Sequence, residues 1–270
     1  MYRDRSLMSN YLKKAQYLIL KIVFQPYEFV RSFFQSPENL LHYSESFFDK
    51  EAPNMISHNH LHHNLNPYLF KIGYGPIVLD PKSFKGSNAL DFGSGGGRNA
   101  INMSNLAEFN TITLSDISNH NLELSRNNLK GITSCEFNFI KTNGKNISST
   151  LRYKFIFSTI CFQHIPSRLI RNSLFRDLIE LLDDDGILSF QMGYGRSKKR
   201  WLAKWMVGYN RNQHSAKVTN GGRDVRITNP NQVIRDLISL GAAHVEFFIT
   251  PAYADKHPYW IWFYVYKKAL

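Results

Sequence analysis

The stretch Ala89-Leu90-Asp91-Phe92-Gly93-Ser94-Gly95-Gly96-Gly97-Arg98-Asn99-Ala100 decides the fold. An apolar, strand-like run ends in an acidic residue, passes through a glycine-rich turn and continues into an amphipathic segment. This is the pattern of a strand–loop–helix unit that cradles a nucleotide-like cofactor. Glycine lets the backbone take positive φ and lets a ligand approach where a Cβ would clash. The helix that follows offers free N–H groups to polar atoms at its start.

Spacing separates two readings of the turn. In the dinucleotide fingerprint G-x-G-x-x-G/A, counted from Gly93, the third small residue falls on Arg98. The chain instead reads Asp-x-Gly-x-Gly-x-Gly, with glycines at 93, 95 and 97. Downstream, Thr111-Ile112-Thr113-Leu114-Ser115 is rich in β-branched residues and reads as a strand. It ends at Asp116, and a carboxylate about 20 residues past the turn is where a ribose is held. An ionised Asp accepts from both ribose hydroxyls. The same residue can instead cap a helix beginning near Ser118.

Residues from about 87 onward alternate between strand and helix patterns. Strands are expected near 87–92, 111–115, 134–140, 154–160 and 187–192, with helices at about 97–107, 118–129 and 167–182. The fifth strand is entered through an Asp-rich turn, Asp183-Asp184-Asp185-Gly186. Such alternation implies parallel strands joined by right-handed crossovers. After a helix at about 230–240, strands at 243–249 and 259–266 are joined by a loop with no helix, which suits an antiparallel hairpin. Residues 1 to about 80 show no such alternation. They hold apolar helical stretches at 11–24, 27–35 and 38–48, then a His/Asn-rich loop.

Composition narrows the classes. Cys135 and Cys161 are the only cysteines, in no metal-ligand spacing, which excludes a disulfide scaffold and makes a cytoplasmic setting the default. The formal charge of +12 attracts nucleic acid, anionic headgroups or acidic glycans and phosphates, without choosing among them. The 11–24 stretch is too short to span a bilayer. It reads as a packed helix, with an interfacial membrane contact as the alternative.

The Asp-x-Gly-x-Gly-x-Gly stretch resembles motif I of the class I S-adenosylmethionine-dependent methyltransferases. The resemblance covers about 85–268. It implies an α/β, Rossmann-like sheet of seven mostly parallel strands, with the last strand antiparallel and inserted between strands five and six. The domain is expected over 81–270 with an insertion at about 193–228. Residues 1–80 are expected as an N-terminal helical extension or lid. The two regions outside the resemblance are expected to carry acceptor specificity. S-adenosyl-L-methionine is the implied cofactor. Asp91 would orient its methionyl ammonium, directly or through water. Gly93, Ser94, Gly95 and Gly97 bring backbone close to the methionine portion. Asp116 takes the ribose and Ile117 packs on the adenine. Thr142 and Asn143 follow the third strand, where the family often has an Asp on the adenine amino group. Asn143 departs from that pattern; its carbonyl could make the contact, or the pair could form a plain turn. Thr159, at the end of the fourth strand, joins the cofactor set.

The following stretch, Gln163-His164-Ile165, is similar to that of many small-molecule members. His164 is the candidate for catalysis, positioning the cofactor or acting as a base, with a structural packing role as the plain alternative. The chain lacks the Asn/Asp-Pro-Pro-Tyr/Phe arrangement of amino-directed nucleic-acid enzymes. Ser57-His58-Asn59-His60-Leu61-His62-His63 has no carboxylate or thiol complement, so no metal is expected. Gln191 to Arg196, with Trp201, Trp205 and Tyr209, interleaves basic and aromatic residues that suit stacking on a sugar or base, or a packed lid. The resemblance implies methyl transfer to a small or medium-sized acceptor, a glycan or other anionic metabolite. An RNA acceptor and a non-catalytic cofactor-binding partner are the alternatives.

Overall fold

Nearly every apolar run at strand spacing becomes a strand of one sheet. The computed structural model describes residues 45–50, 80–165, 167–195, 207–209, 225–251 and 258–268. Its elements are β1 (Asn88–Phe92), α1 (Arg98–Leu106), β2 (Thr111–Asp116), α2 (Asn119–Asn128), β3 (Glu136–Lys141), β4 (Tyr153–Thr159), α3 (Arg168–Leu181) and β5 (Leu182–Tyr194). They continue with β6 (Val207–Gly208), β7 (Val225–Arg226), α4 (Pro230–Ser239), β8 (His244–Pro251) and β9 (Tyr259–Tyr266). A short 3-10 turn, Phe162–His164, leads out of β4.

The main sheet has seven strands in the order β3-β2-β1-β4-β5-β9-β8. The pairings through β5 are parallel, and β9 runs antiparallel to both β5 and β8. This is the arrangement the resemblance implies. Chain order reverses at β1: β2 and β3 go to one side, and β4 returns to the other. The carboxyl ends of β1 and β4 therefore diverge and open a crevice, the place where such sheets bind ligands.

Side-chain alternation sorts the core onto two faces. Leu90, Phe92, Ile156, Leu188, Phe190, Met192, Ile261, Phe263 and Val265 pack under α3 and α4. Ala89, Ile112, Leu114, Phe155, Phe157, Trp262 and Tyr264 pack with Ala100 and Met103 of α1. The helices start where side-chain caps allow. Ser118, Ser167 and Asn229 accept from the N–H groups of Asn121, Ile170 and Asn231, and Pro230 occupies a first-turn position after Asn229.

Two expectations need correction. The Asp-rich turn at 183–186 is not a separate connection, because β5 begins at Leu182, directly after α3. The ladder passes from Tyr153↔Leu182 to Phe155↔Ile187, so Asp183 to Gly186 bulge out of it. Tyr209 is buried rather than offered for stacking. Its ring lies under the Arg171 guanidinium, 4.8 Å from ring centroid to Cζ. Arg171, itself fully buried, donates to the carbonyls of Ile165 and Tyr209, both at 2.5 Å. It thereby joins the exit of β4 to the insertion after β5. The described ends of that insertion, β6 and β7, pair in parallel, and Ile227 bridges Tyr194.

The helical stretches at 11–24 and 27–35, the 57–63 histidine tract, Arg196, Trp201 and Trp205 lie outside the described residues. Among the described residues no helix is long and apolar enough to cross a membrane. Nor does any group of three or more His, Cys, Asp or Glu stand together as a metal site there.

Phe175 on α3 is the keystone of the aromatic stack beneath β5. It lies 4.3 Å from Phe162 and 4.9 Å from Phe190, centroid to centroid. Phe175→Ala is expected to destabilise the protein by about 3–5 kcal/mol in chemical denaturation.

Candidate active site

The carboxyl end of β1 leads into a turn whose three alternate glycines all take positive φ: Gly93 at 72°, Gly95 at 52° and Gly97 at 86°. The turn is also pinned. Gly93 and Ser94 donate to the carbonyl of Ser115 at 2.7 and 3.1 Å. The Gly95 N–H donates to Asp116 Oδ2 at 2.9 Å. Gly93 has no room for a side chain, since a Cβ there would sit 2.6 Å from both Cβ and Sγ of Cys161. The glycine turn is thus packed against the exit of β4.

That exit is strained. Ile160 takes φ 65°, and its N–H donates to Gln191 Oε1 at 3.0 Å. A β-branched residue in the left-handed region is a true outlier that surrounding structure must enforce. Neither Ile160 nor Gln191 carries a sequence signal for this role. Asn99 was equally invisible. From the second position of α1 its Nδ2 donates to Asp91 Oδ1 at 3.0 Å and to Thr159 Oγ1 at 3.2 Å. One buried amide therefore ties together the tips of β1 and β4 and the start of α1. The only available signal was its place directly after the glycine turn and Arg98.

Asp91, Gly93, Ser94, Gly95, Gly97, Asp116 and Thr159 are brought to one crevice by these bonds. Ile117, half-buried, follows Asp116 at its rim. Asp116 accepts the Ser118 N–H at 2.9 Å and the Asn121 amide at 3.3 Å through Oδ1, so it also steadies the entry to α2. The cap is Ser118, so the helix-capping reading of Asp116 is met indirectly. Thr142 donates to the Asn146 carbonyl and accepts the Gly144 N–H, closing the turn after β3. Asn143 is exposed, and its side-chain carbonyl accepts from the N–H groups of Lys145 and Asn146 at 2.9 and 3.0 Å. In this geometry the Asn143 carbonyl serves its own turn.

His164 sits on the 3-10 turn beyond β4, at the same end of the sheet. Its ring meets Phe48 edge-on, with centroids 6.1 Å apart. Phe48 belongs to the helical residues 45–50. That segment also reaches Lys141 through Glu45 (2.5 Å), and Ser118 (2.5 Å) and His120 (3.3 Å) through Asp49. Residues 45–50 therefore lie across the carboxyl ends of β3 and β4 and the start of α2.

Electrostatics single out Asp91. Burial pushes its carboxyl from 3.8 up to about 7; the Asn99 hydrogen bond and the Arg98 charge oppose the rise, and Asp116 adds to it. Burial likewise raises Asp116, against its several hydrogen bonds, and lowers Arg98. The Cys161 thiol is pushed far up by burial, then by the Asp116 and Asp91 charges, and stays protonated. It is no nucleophile. Four buried polar atoms around the turn have no hydrogen-bond partner: Asp91 Oδ2, Ser94 Oγ, Arg98 Nε and Asn99 Oδ1. Other buried polar atoms in the sheet and helices also lack a partner, but Asp91 Oδ2 belongs to a fully buried carboxylate, the group for which an unmet bond costs most and a polar ligand would gain most.

Gly93→Ala is expected to cost about 1–2 kcal/mol for the left-handed backbone and about 1–3 kcal/mol for the clash with Cys161. Urea denaturation should show the sum. In the Cys161→Gly background only the backbone share should remain.

No curated protein matches the chain. Solved structures do match in fold. DhpI in its SAH complex aligns over 84% of this chain and 96% of its own, at 14% identity and a TM-score of 0.55. Its SAM–HEP complex aligns over 84% and 97%, at 15% identity and a TM-score of 0.53. Phosphoethanolamine N-methyltransferase 2 of Haemonchus contortus, bound to phosphomonomethylethanolamine and S-adenosylhomocysteine, aligns over 83% of this chain and 60% of its own, at 13% identity and a TM-score of 0.58. A family model described as a methyltransferase domain matches residues 71–221, more than half of the chain. The chain belongs to the methyltransferase domain family.

Proposed function

We propose that this methyltransferase uses S-adenosyl-L-methionine and transfers its methyl group to a small or medium-sized anionic or glycan-type acceptor. The observation that carries the cofactor reading is the set of orphaned buried polar atoms around the glycine turn. These residues fit an amino-acid-bearing nucleoside: an acidic group for an ammonium, small residues for close backbone approach, a second carboxylate at the end of β2 for a ribose. The DhpI structures in complex with SAH and SAM support it. The anionic acceptor in the Haemonchus contortus complex supports the acceptor class.

The bound cofactor supplies a methyl group already activated by a sulfonium charge. The protein's work is then to hold donor and acceptor in line and to keep water out. In this reading Asp91 would hold the ammonium, and Gly93, Ser94, Gly95 and Gly97 would let the backbone come close to the methionine portion. Asp116 Oδ2 has one acceptor position beyond the Gly95 bond, which would be left for a ribose hydroxyl. Ile117 takes one adenine face, and Thr142 with Asn143 closes the pocket end. Thr159, held through Asn99, keeps the β4 side of the crevice in place. Residues 45–50 form part of the roof. His164, whose ring meets Phe48, would position the cofactor or take a proton from the acceptor.

Asp116→Ala is expected to weaken S-adenosylhomocysteine binding by about 1–3 kcal/mol in calorimetry, the scale of lost charge-assisted hydrogen bonds. Unchanged affinity in a folded variant removes the ribose role. Turnover of labelled S-adenosylmethionine against anionic metabolites, oligosaccharides and RNA tests the acceptor class. No transfer to any of them leaves a binding partner without catalysis.

The raised Asp91 carboxyl gives a second readout. Below about pH 7 the folded, ligand-free protein keeps a proton there that the unfolded chain sheds above pH 3.8. The associated stability is full below pH 3.8 and is lost as pH rises through about 7. A cofactor ammonium favours the ionised form. Binding of S-adenosylhomocysteine near pH 6 should therefore release about one proton, and affinity should climb with pH and level off above about 7. Calorimetry in buffers of different ionisation enthalpy reads that proton. Asp91→Asn should abolish it.

A further inference from the structure

Gln191, near the end of β5, carries a donor that its surroundings leave unused. The residue is almost fully buried and stands opposite Thr159 in the parallel ladder. Its Oε1 accepts the Ile160 N–H at 3.0 Å. That bond decides which end of the amide is the oxygen, so the other end can only donate. This Nε2 is buried and has no hydrogen-bond partner. The unpartnered hydroxyls elsewhere in the sheet, such as those of Ser115 and Ser189, can turn toward whatever acceptor lies nearest. Arg171, whose Nε is also unpartnered, spends two other donors on carbonyls. Gln191 has neither resort. Turning its amide would strip the bond from Ile160, a β-branched residue held at φ 65°. A pinned N–H donor out of water and without an acceptor is a loss to stability.

Covalent geometry places that donor. The oxygen and nitrogen of one amide lie roughly 2.3 Å apart, so Nε2 stays at the β4 exit beside Ile160. The next residue, Cys161, is packed on the Gly93 turn, which makes this exit one wall of the crevice. Gln191 and Thr159 are ladder partners and point to the same face of the sheet. Thr159 Oγ1 accepts from Asn99, whose amide also holds Asp91. Asp91, Asn99, Thr159 and Gln191 therefore form a polar row across the tips of β1, β4 and β5. The residues assigned to the cofactor occupy β1, β2, the turn after β3 and the end of β4. Gln191 enters from β5, the strand on the far side of β4 from them.

We infer that Gln191 Nε2 donates to an oxygen of the methyl acceptor, and so selects molecules that present a hydrogen-bond-accepting oxygen close to the atom that is methylated. This inference rests on the methyl-transfer reading above. Carboxylate, phosphate and sugar oxygens share that chemistry. A molecule that offers only N–H groups or hydrocarbon at this point leaves the amide unpaired and is rejected. Gln191 thus has two separate tasks: its oxygen holds the β4 exit, and its nitrogen reads the acceptor.

The test is NMR on the full chain, isotope-labelled at its glutamine side-chain nitrogens and saturated with S-adenosylhomocysteine. The Gln191 NH2 pair is assigned by its loss in Gln191→Glu. Inorganic phosphate, acetate, methyl β-glucoside and tetramethylammonium are titrated in separately. The pair should move saturably with at least one of the three oxygen-bearing probes, which names the source of the oxygen, and should ignore tetramethylammonium. Gln191→Glu keeps an oxygen for Ile160 and exchanges the donor for a second acceptor. Followed through backbone amides, it should bind the active probe about 10-fold more weakly or worse, with its S-adenosylhomocysteine affinity kept. A wild-type pair that ignores all three oxygen probes overturns the inference, and that result needs no variant to fold. An equal response to tetramethylammonium overturns it as well, as does a folded Gln191→Glu protein that binds the probe like wild type. A pair that moves with S-adenosylhomocysteine and then ignores every probe removes the acceptor role and leaves the cofactor reading standing. Failure to bind S-adenosylhomocysteine removes the cofactor reading, and the same probes added to the unliganded protein then judge Gln191 by themselves.

Discussion

Asp116 Oδ2 accepting the Gly95 N–H is the contact on which the crevice depends. It joins the tip of β2 to the turn that leaves β1, and it resolves two liabilities together. A glycine turn with positive φ at alternate positions has high entropy in the unfolded chain and presents N–H groups that need partners. A carboxylate buried at the end of a strand needs donors. Each supplies what the other lacks. With the turn fixed from the β2 side, its opposite flank is pressed on Cys161, where only glycine fits. The mouth between β1 and β4 thereby acquires a fixed width, set by two strands and one turn rather than by mobile side chains.

Function shows in where this arrangement leaves energy unspent. Asp91 is fully buried, keeps one oxygen unpaired and has its ionisation raised toward neutrality. Ile160 is held at a φ that β-branched residues avoid. A core built for stability alone would place a small apolar residue at 91 and glycine at 160. Both defects lie at the carboxyl end of the sheet. Elsewhere the core is conventional: alternate strand residues packed on two faces, serine- and asparagine-capped helices, and an aromatic stack from Phe162 through Phe190. A strained Ile160, an unpaired oxygen on a buried carboxylate and a raised ionisation meet at one end of the sheet, and that conjunction is what a prepared ligand site requires.

The legibility of these features followed their range in the chain. Glycine spacing and β-branched runs act over a few residues, so the succession of strands and helices along the chain and the turn at the tip of β1 could be read directly, whereas the order of strands across the sheet came from the family resemblance. The antiparallel β9 was readable because a loop without a helix cannot return a parallel strand. What stayed hidden depends on distant partners. Asn99 looks like any polar residue in the first turn of a helix until β4 brings Thr159 to it. Arg171 reads as a surface position on α3 until Ile165 and Tyr209 close over it. Asn143 was judged by its place after β3, whereas its own turn engages its carbonyl first. The bulge at 183–186 is of the same kind, because it exists only relative to Tyr153 and Phe155 on the neighbouring strand.

Arg171 shows how a second, separate tie is made on the other side of β4. Its guanidinium is out of water and spends two donors on carbonyls from separate segments, the one just past His164 and the one at Tyr209 in the insertion. A buried arginine so used is costly to desolvate, and burial lowers its ionisation to about 10. What it secures is registry: the residues that follow the β4 exit and the insertion after β5 must share one geometry. Among the described residues, neither the Ile165 nor the Tyr209 carbonyl bonds to the glycine turn, whose own bonds run to Ser115 and Asp116. Among the described residues the glycine turn is held from the β2 side, whereas the β4 exit and the ends of the insertion are held together by Arg171.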